Sequence, residues 1–203
     1  TENTARIDAV FGVWKGERGR LWFDDAVLSA DSGRGWKSLL QGESMKQAGW
    51  RCDSGPGTDG RSDFRLAGGR LYVSSDRVSR AVRQSVLGNI EVEFIFSMKG
   101  DFWGLYLIDR NQVVDVQCYK PAQGTHHARL IIRGNRAELF IDGAQVKNGR
   151  KTGVRLVHVS TKRGQRVQMQ TMQGPLMQKG AVGINKDRGT SLELSTLRYR
   201  SLE

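Results

Sequence analysis

The feature that most constrains this chain is its punctuation. Its 25 glycines, many of them in turn-forming pairs, divide it into short stretches of Val, Ile, Leu and aromatic residues. Within those stretches apolar residues recur at every second position, and the three-to-four spacing of an amphipathic helix is almost absent. Period two marks a strand with one buried face, because successive side chains leave a pleated backbone on opposite sides. The clearest strands are Arg70 to Ser74, Asn89 to Met98, Trp103 to Asp109, Gln112 to Tyr119, Ala128 to Arg133, Ala137 to Ile141, Arg155 to Ser160, Arg166 to Thr171, Gly180 to Asn185 and Ser191 to Arg200. Many strands, regular turns and no helices to carry parallel crossovers predict an all-β fold, a two-sheet antiparallel β-sandwich of the jelly-roll type.

Two local patterns sharpen this. In ARLIIRGNRAELFIDG, Gly134-Asn135 separates Leu130 and Ile132 from Ala137, Leu139 and Ile141, and Asp142-Gly143 supplies the next turn. Gly and Asn at such positions tolerate the positive φ that a two-residue hairpin needs. In IEVEFIFS the alternation puts Ile90, Val92, Phe94 and Phe96 on a core face and Glu91, Glu93, Ile95 and Ser97 on the other.

A length of 203 residues suits one large all-β domain. No apolar run approaches the ~20 residues of a membrane-spanning helix, so membrane insertion is not expected. The 32 Lys and Arg against 21 Asp and Glu leave a formal charge of +11, which attracts polyanions. The arginines are dispersed, however, from Arg18 and Arg34 to Arg65, Arg77 and Arg83, without a basic run or helix. That favours a solvated basic surface and argues against nucleic acid as the partner. Cys52 and Cys118, the only cysteines, exclude a disulfide scaffold and a four-Cys zinc site, and leave open one disulfide or two separate thiols. The start at Thr1, without Met or a charged apolar leader, is read as a processed or truncated beginning, and a secreted or periplasmic location is the expectation.

From Trp36 onward the order of phrases resembles the bacterial 3-keto-disaccharide hydrolase family and its concanavalin A-like lectin and glucanase relatives. WKSLLQGESMKQAGW is similar to that family's opening, FRLAGGRLYVSS to the strand presenting a Gly before an apolar pair, and NIEVEFIFS to its long central strand. GLYLIDRNQVVDVQCY is similar to the stretch in which an apolar strand turns into an acid-apolar-Gln phrase, here Asp115-Val116-Gln117. HHARLIIRGNRAELFIDGAQV and GAVGINKDRGTSLELSTLRYRSL complete the series. The chain departs from the pattern where Asp101-Phe102-Trp103-Gly104 replaces the usual Asn-Ser-Gly, and where a basic hairpin, RLVHVSTKRGQRVQMQ, precedes the last strand. The resemblance implies a concanavalin A-like sandwich over residues 36–203. Residues 1–35, with GRLWFDDAVLSAD resembling the closing strand of a carbohydrate-binding jelly roll, are expected to be either the tail of a preceding module or an extra strand along the sandwich.

Strand parity offers a candidate surface. With Val114, Val116 and Cys118 inward, Asp115, Gln117 and Tyr119 point outward, as do Glu91, Glu93, Arg129 and Arg133 on other strands. Glu93 and Asp115 are the candidate catalytic carboxylates, since a glycosidase needs an acid and a nucleophile or base about 5 to 9 Å apart. The alternative is that both are solvated acids paired with neighbouring arginines. Gln117, Tyr119, His126, Arg129, Arg133 and Trp103 are the candidate sugar contacts; Trp50, Trp103 and Tyr106 are either stacking platforms or core aromatics. His126 and His127 are adjacent and diverge along a strand, which suits ligand contact or plain loop histidines better than a zinc pair. No cofactor is certain. Acidic loops around Asp53, Asp59 and Asp63, or Asp109 and Asn111, leave a structural calcium open, although no complete calcium loop is present. No phosphate-cradling loop, Gly-x-Ser-x-Gly elbow or Cys/His nucleophile set occurs. The expected function is glycan recognition across one sheet face, within a larger multidomain protein and including acidic polysaccharides as ligands. The alternatives are a glycoside hydrolase and a basic module for an anionic polymer.

Overall fold

A computed structural model describes residues 35–53, 63–121, 123–146, 153–160, 167–169, 172 and 175–202. The expectation for the N-terminal extension lies, up to residue 34, outside the described residues, as do Asp59 and the tip of the basic hairpin. Among the described residues the chain forms strands and no helix: β1 (Lys37–Ser38), β2 (Trp50–Asp53), β3 (Phe64–Ala67), β4 (Arg70–Ser74), β5 (Ser79–Val86), β6 (Ile90–Lys99), β7 (Phe102–Ile108), β8 (Gln112–Tyr119), β9 (Thr125–Arg133), β10 (Arg136–Ile141), β11 (Ala144–Gln145), β12 (Val154–Ser160), β13 (Val167–Met169), β14 (Lys179–Lys186) and β15 (Ser191–Ser201). Each strand expected from the sequence is present within a few residues of its expected bounds. The clearest periodic stretches do not include the short β1, β2, β3 and β11, of two to four residues, or the eight-residue β5.

All pairings are antiparallel, in two sheets. Sheet I runs β11-β10-β9-β6-β15-β4-β3, with β1 also paired to β15; sheet II runs β13-β12-β8-β7-β14-β5-β2. The predicted turns close as expected. Gly134, at φ 57, joins β9 to β10 with Arg133 opposite Arg136. Asp142 and Gly143, at φ 51 and 78, join β10 to β11 with Ile141 opposite Ala144. In β15 the register shifts between Leu194 and Thr196, so one inserted residue lets Leu192, Leu194 and Leu197 all reach the core.

The core lies between the sheets. Ile90, Val92, Phe94 and Phe96 of β6 are at most 2% exposed, and Val114, Val116 and Cys118 of β8 at most 1%, as their alternation predicts. Across the interlayer Trp103 of β7 meets Phe96 at 4.9 Å and Phe94 at 5.9 Å, the latter edge-on. Trp103 is fully buried, which corrects its expectation as a sugar contact: it shares inward parity with Leu105 and Leu107. Trp50 is likewise a core residue, its indole N–H donating to the Leu39 carbonyl at 2.7 Å. The open question about the cysteines resolves into two separate thiols. Cys52 on β2 and Cys118 on β8 belong to strands four positions apart in sheet II, about 19 Å at ~4.8 Å per step, beyond the ~7 Å reach of a disulfide. Burial pushes the Cys118 thiol far above its ordinary range.

Sheet I carries an ionic lattice on its outer face. Registers place Arg129, Glu93 and Arg198 side by side on β9, β6 and β15, and Ile131, Glu91 and Arg200 in the next row. Glu91 accepts from Arg129 Nε and, at 2.9 Å, from Arg200 Nε. Glu93 accepts from Arg198 Nε, and its other oxygen lies 2.8 Å from His127 Nε2. Arg198 and Arg200 stack on the Trp36 ring at 4.6 and 4.7 Å, which presses the segment leading into β1 against the sheet. Burial would raise the Glu91 carboxyl above its usual range, but the hydrogen bonds and charges of Arg129 and Arg200 prevail and hold it below.

Two stability measurements follow from this packing. Trp103→Ala truncates the largest fully buried side chain among the described residues and is expected to cost about 3–5 kcal/mol in denaturant unfolding; a loss under ~1 kcal/mol would mean that the interlayer is not centred there. Because Glu91 titrates lower when folded, its contribution is present above the ordinary carboxylate pKa of ~4.3 and disappears as pH falls through the folded value. Glu91→Gln is therefore expected to cost about 2 kcal/mol near neutrality, a gap to wild type that narrows in acid. A gap independent of pH would contradict the pairing.

Candidate functional site

The candidate residues divide between surfaces. Glu93, Arg129 and Arg133 lie on the outer face of sheet I, whereas Asp115, Gln117 and Tyr119 lie on the outer face of sheet II. Stacked sheets stand about 10 Å apart, and Glu93 and Asp115 point away from each other across both layers, so the structure does not bring this carboxylate pair to one site. Arg133 is exposed near the hairpin tip. His126 shares parity with Ala128, Leu130 and Ile132; its ring packs 5.3 Å from Phe96 and its Nδ1 lies 2.8 Å from Asp142 Oδ2. That position, beside a core aromatic at the sheet end, places it on neither outer face. His158 also faces inward, on β12, and burial lowers its pKa.

The outer face of sheet II is built around two glycines. Alternation on β7 buries Trp103, Leu105 and Leu107 and turns Gly104 and Tyr106 outward; on β14 it buries Val182 and Ile184 and turns Gly183 and Asn185 outward. Pairing sets Gly104 between Asn185 and Gln117, and Tyr106 between Gly183 and Asp115. A Cβ on Gly104 would stand 2.6 Å from Asn185 Oδ1 and 3.2 Å from Asp115 Oδ1, and one on Gly183 would stand 2.0 Å from Tyr106 Cζ. The missing side chains thus let an amide and a carboxylate converge from neighbouring strands and let the phenol ring lie flat on the sheet. A mid-strand glycine costs roughly 0.5–1 kcal/mol relative to alanine, so two of them placed diagonally on adjacent strands mark a surface shaped for close approach.

Around that floor the polar groups form a chain. Gln117 Nε2 donates to Asp115 Oδ2 at 2.6 Å, and Gln117 Oε1 accepts from Tyr119 at 3.2 Å and from Arg155 Nε at 2.7 Å. Arg155 of β12 also donates to the Tyr119 hydroxyl at 3.0 Å and stacks on its ring at 4.9 Å. Gln117 is therefore held in one orientation, with Asp115 fixed beside it. Asn185 Oδ1 is buried without a hydrogen-bond partner. An unsatisfied buried acceptor costs about 1–3 kcal/mol. Sequence reasoning identified Asp115, Gln117 and Tyr119 but not Gly104, Gly183, Asn185 or Arg155; the signal was there in the two glycines, each flanked on both sides by inward apolar residues.

Sheet I has a concavity of its own, a groove of about 740 Å³ whose outward residues include Tyr72, Ser74, Ser97, Lys99, Thr125 and Glu193. Its polar groups lie apart in two rows, with Glu193 engaged by Arg70 at 2.8 Å.

Two of the acidic residues considered for calcium, Asp109 and Asp63, have partners within the chain. The Asp109 carboxylate accepts from the backbone N–H of Asn111, Gln112 and Met177 at 2.6, 2.9 and 2.9 Å, which makes it a turn cap. The Asp63 carboxylate accepts from the Ser79 hydroxyl. Among the described residues no group of three or more His, Cys, Asp or Glu is arranged to hold a metal, and no helix is long and apolar enough to cross a membrane.

No family model and no curated protein sequence matches the chain. Solved structures do. A prokaryotic β-1,3-1,4-glucanase (lichenase) derived from a mouse hindgut metagenome matches over 82% of this chain and 98% of its own, at 10% identity and a TM-score of 0.50. A provisionally assigned glycosyl hydrolase from Parabacteroides distasonis matches over 82% and 99% at 16% identity and a TM-score of 0.49, and a carbohydrate-binding module from Bacillus subtilis over 75% and 96% at 12% and 0.48. At such identities the likeness is one of fold, and it agrees with the two stacked antiparallel sheets: the chain has the concanavalin A-like, jelly-roll β-sandwich fold.

Proposed function

We propose that the outer face of sheet II binds carbohydrate and that this chain is a glycan-recognition domain, acting outside the cytoplasm as one part of a larger protein. The observation that carries the reading is the glycine floor of Gly104 and Gly183, over which Asp115, Asn185 and Tyr106 converge. A pyranose is a flat ring with an apolar face and a rim of hydroxyls. It needs a shallow surface for the face and fixed acceptors and donors for the rim. Asp115 and Asn185 offer the acceptors, Gln117 and Arg155 fixed donors at the margin, and the Tyr106 ring an apolar plane.

Recognition without turnover is favoured over hydrolysis by the carboxylate count. The four strands β12, β8, β7 and β14 present Asp115 as their single outward carboxylate, and Gln117 occupies the next outward position on the same strand. Glycoside hydrolysis in its common form needs two carboxyl groups flanking one bond. Glu93, the other acid singled out in the sequence, is bound to Arg198 and His127 on the opposite face. Arg155 beside the floor, with a net charge of +11, extends the ligand range to acidic polysaccharides.

The reading is tested by calorimetric titration of neutral and acidic oligosaccharides and polysaccharides at two ionic strengths, with product analysis on the same mixtures. A bound glycan is expected to lose about tenfold or more in affinity with Asp115→Asn or Asn185→Ala, and with Gly183→Ala, whose Cβ would displace the Tyr106 ring. Tyr72→Ala, in the sheet I groove, should leave affinity unchanged, and no cleavage products should form. Wild-type affinity in all three floor variants would overturn the assignment of the face; cleavage abolished by Asp115→Asn would establish the hydrolase instead. Binding that collapses with salt and is indifferent to sugar identity would indicate a general polyanion site.

A further inference from the structure

Lys186 ends β14, opposite Ser79 of β5 and Trp103 of β7, and is completely buried. An ammonium taken out of water is costly unless each of its three N–H groups finds an acceptor. Here each does. Lys186 Nζ donates to the carbonyls of Ser75 at 2.7 Å, Arg77 at 2.9 Å and Asp187 at 3.3 Å. All three are backbone oxygens, two from the β4–β5 connection and one from the β14–β15 connection. Burial lowers the Lys186 pKa, while the charges of Asp63, Asp76 and Asp187 act in the opposite direction. The surrounding shell is tied together as well: the Ser79 hydroxyl bonds Asp63 and lies 3.0 Å from Ser75 Oγ, and Gly189 N–H donates to the same Ser75 carbonyl at 3.2 Å.

Carbonyl oxygens gathered from two turns with aspartates behind them are the donor set of a hard cation. The distances suit an ammonium: calcium takes its oxygens at about 2.3–2.6 Å, shorter than any of the three contacts. We infer that this is a cation site whose cation the chain itself supplies, with the Lys186 ammonium bridging the two connections as a bound metal ion would, so that closure of the β4–β5 and β14–β15 connections is independent of divalent metal. The acidic loop residue Asp63, read from sequence as a possible calcium ligand, belongs to the outer shell of this lysine. The inference stands on Lys186 and its carbonyls alone and does not depend on what sheet II binds.

Thermal unfolding of the whole chain tests it. The wild-type midpoint is expected to be the same with a chelator, without additive and with millimolar calcium. Lys186→Met keeps the stem and removes the charge, leaving three carbonyls without donors; it should lower the midpoint by about 5 °C or more. Lys186→Ala opens space instead, and its midpoint should rise with ethylammonium, or with potassium or calcium, while the Met variant, whose side chain fills the space, does not respond. Should the Ala variant fail to fold at rest, recovery on dilution from denaturant with and without each cation reads the same contrast. A wild-type midpoint raised by calcium or lowered by chelator would overturn the inference. So would a Met variant as stable as wild type, or an Ala variant indifferent to every cation.

Discussion

The interlayer contact of Phe94 and Phe96 with Trp103 is the constraint on which the remaining structure depends. It fixes which parity of β6 and of β7 points inward, and pairing transmits that choice to β9 and β15 on one side and to β8 and β14 on the other. A one-residue slip would exchange every buried side chain for an outward one. With parity fixed, the polar alternates have nowhere to go but the two outer faces, and each face acquires a composition that its strands cannot change independently. One sandwich thereby displays two chemically different surfaces: a lattice of paired ions on sheet I, and at the centre of sheet II a glycine floor bordered by Asp115, Gln117, Asn185, Tyr119 and Arg155.

The ionic lattice of sheet I shows how the charged residues of a basic chain become structural. Glu91 and Glu93 draw in three arginines and a histidine from the flanking strands, and the arginines of β15 in turn hold Trp36. Exposed ion pairs contribute little singly. Glu91 differs because it is 2% exposed and shared by two guanidinium groups, so removing it leaves cations facing each other across a partly dried surface. The lattice also engages both carboxylates, each held between two side chains of neighbouring strands.

Parity was legible in the sequence, and that explains both what could be read and what could not. IEVEFIFS and QVVDVQCY declare their inward residues without help from the rest of the chain, and the Asp-Gly turn declares its hairpin. Alternation says in or out, however, and never which sheet. Glu93 and Asp115 are both outward and therefore looked like neighbours, while the assignment of β6 and β8 to opposite sheets depends on long-range pairing that no local pattern encodes. Parity would have placed Trp103 with Leu105 and Leu107, and His126 with Leu130 and Ile132; aromatic and imidazole chemistry drew attention away from it. Strand β5 escaped for another reason. SRAVRQSV puts Arg83 at an inward position, where its guanidinium reaches the Leu39 carbonyl at 2.9 Å, so the strand lacks an apolar stripe.

Strand β14 shows how little sequence separates the two kinds of site. Val182, Ile184 and Lys186 point inward, Gly183 and Asn185 outward, and consecutive residues at the strand end serve opposite sides of the sheet. Lys186 ties that end to two connections through three carbonyls, and the backbone it anchors is the one from which Asn185 leans over Gly104. An amide held over a glycine floor with its oxygen unsatisfied requires a backbone that cannot relax to find a partner. Ammonium and amide therefore form one construction: the buried charge fixes the strand, and the fixed strand holds the Asn185 amide over Gly104.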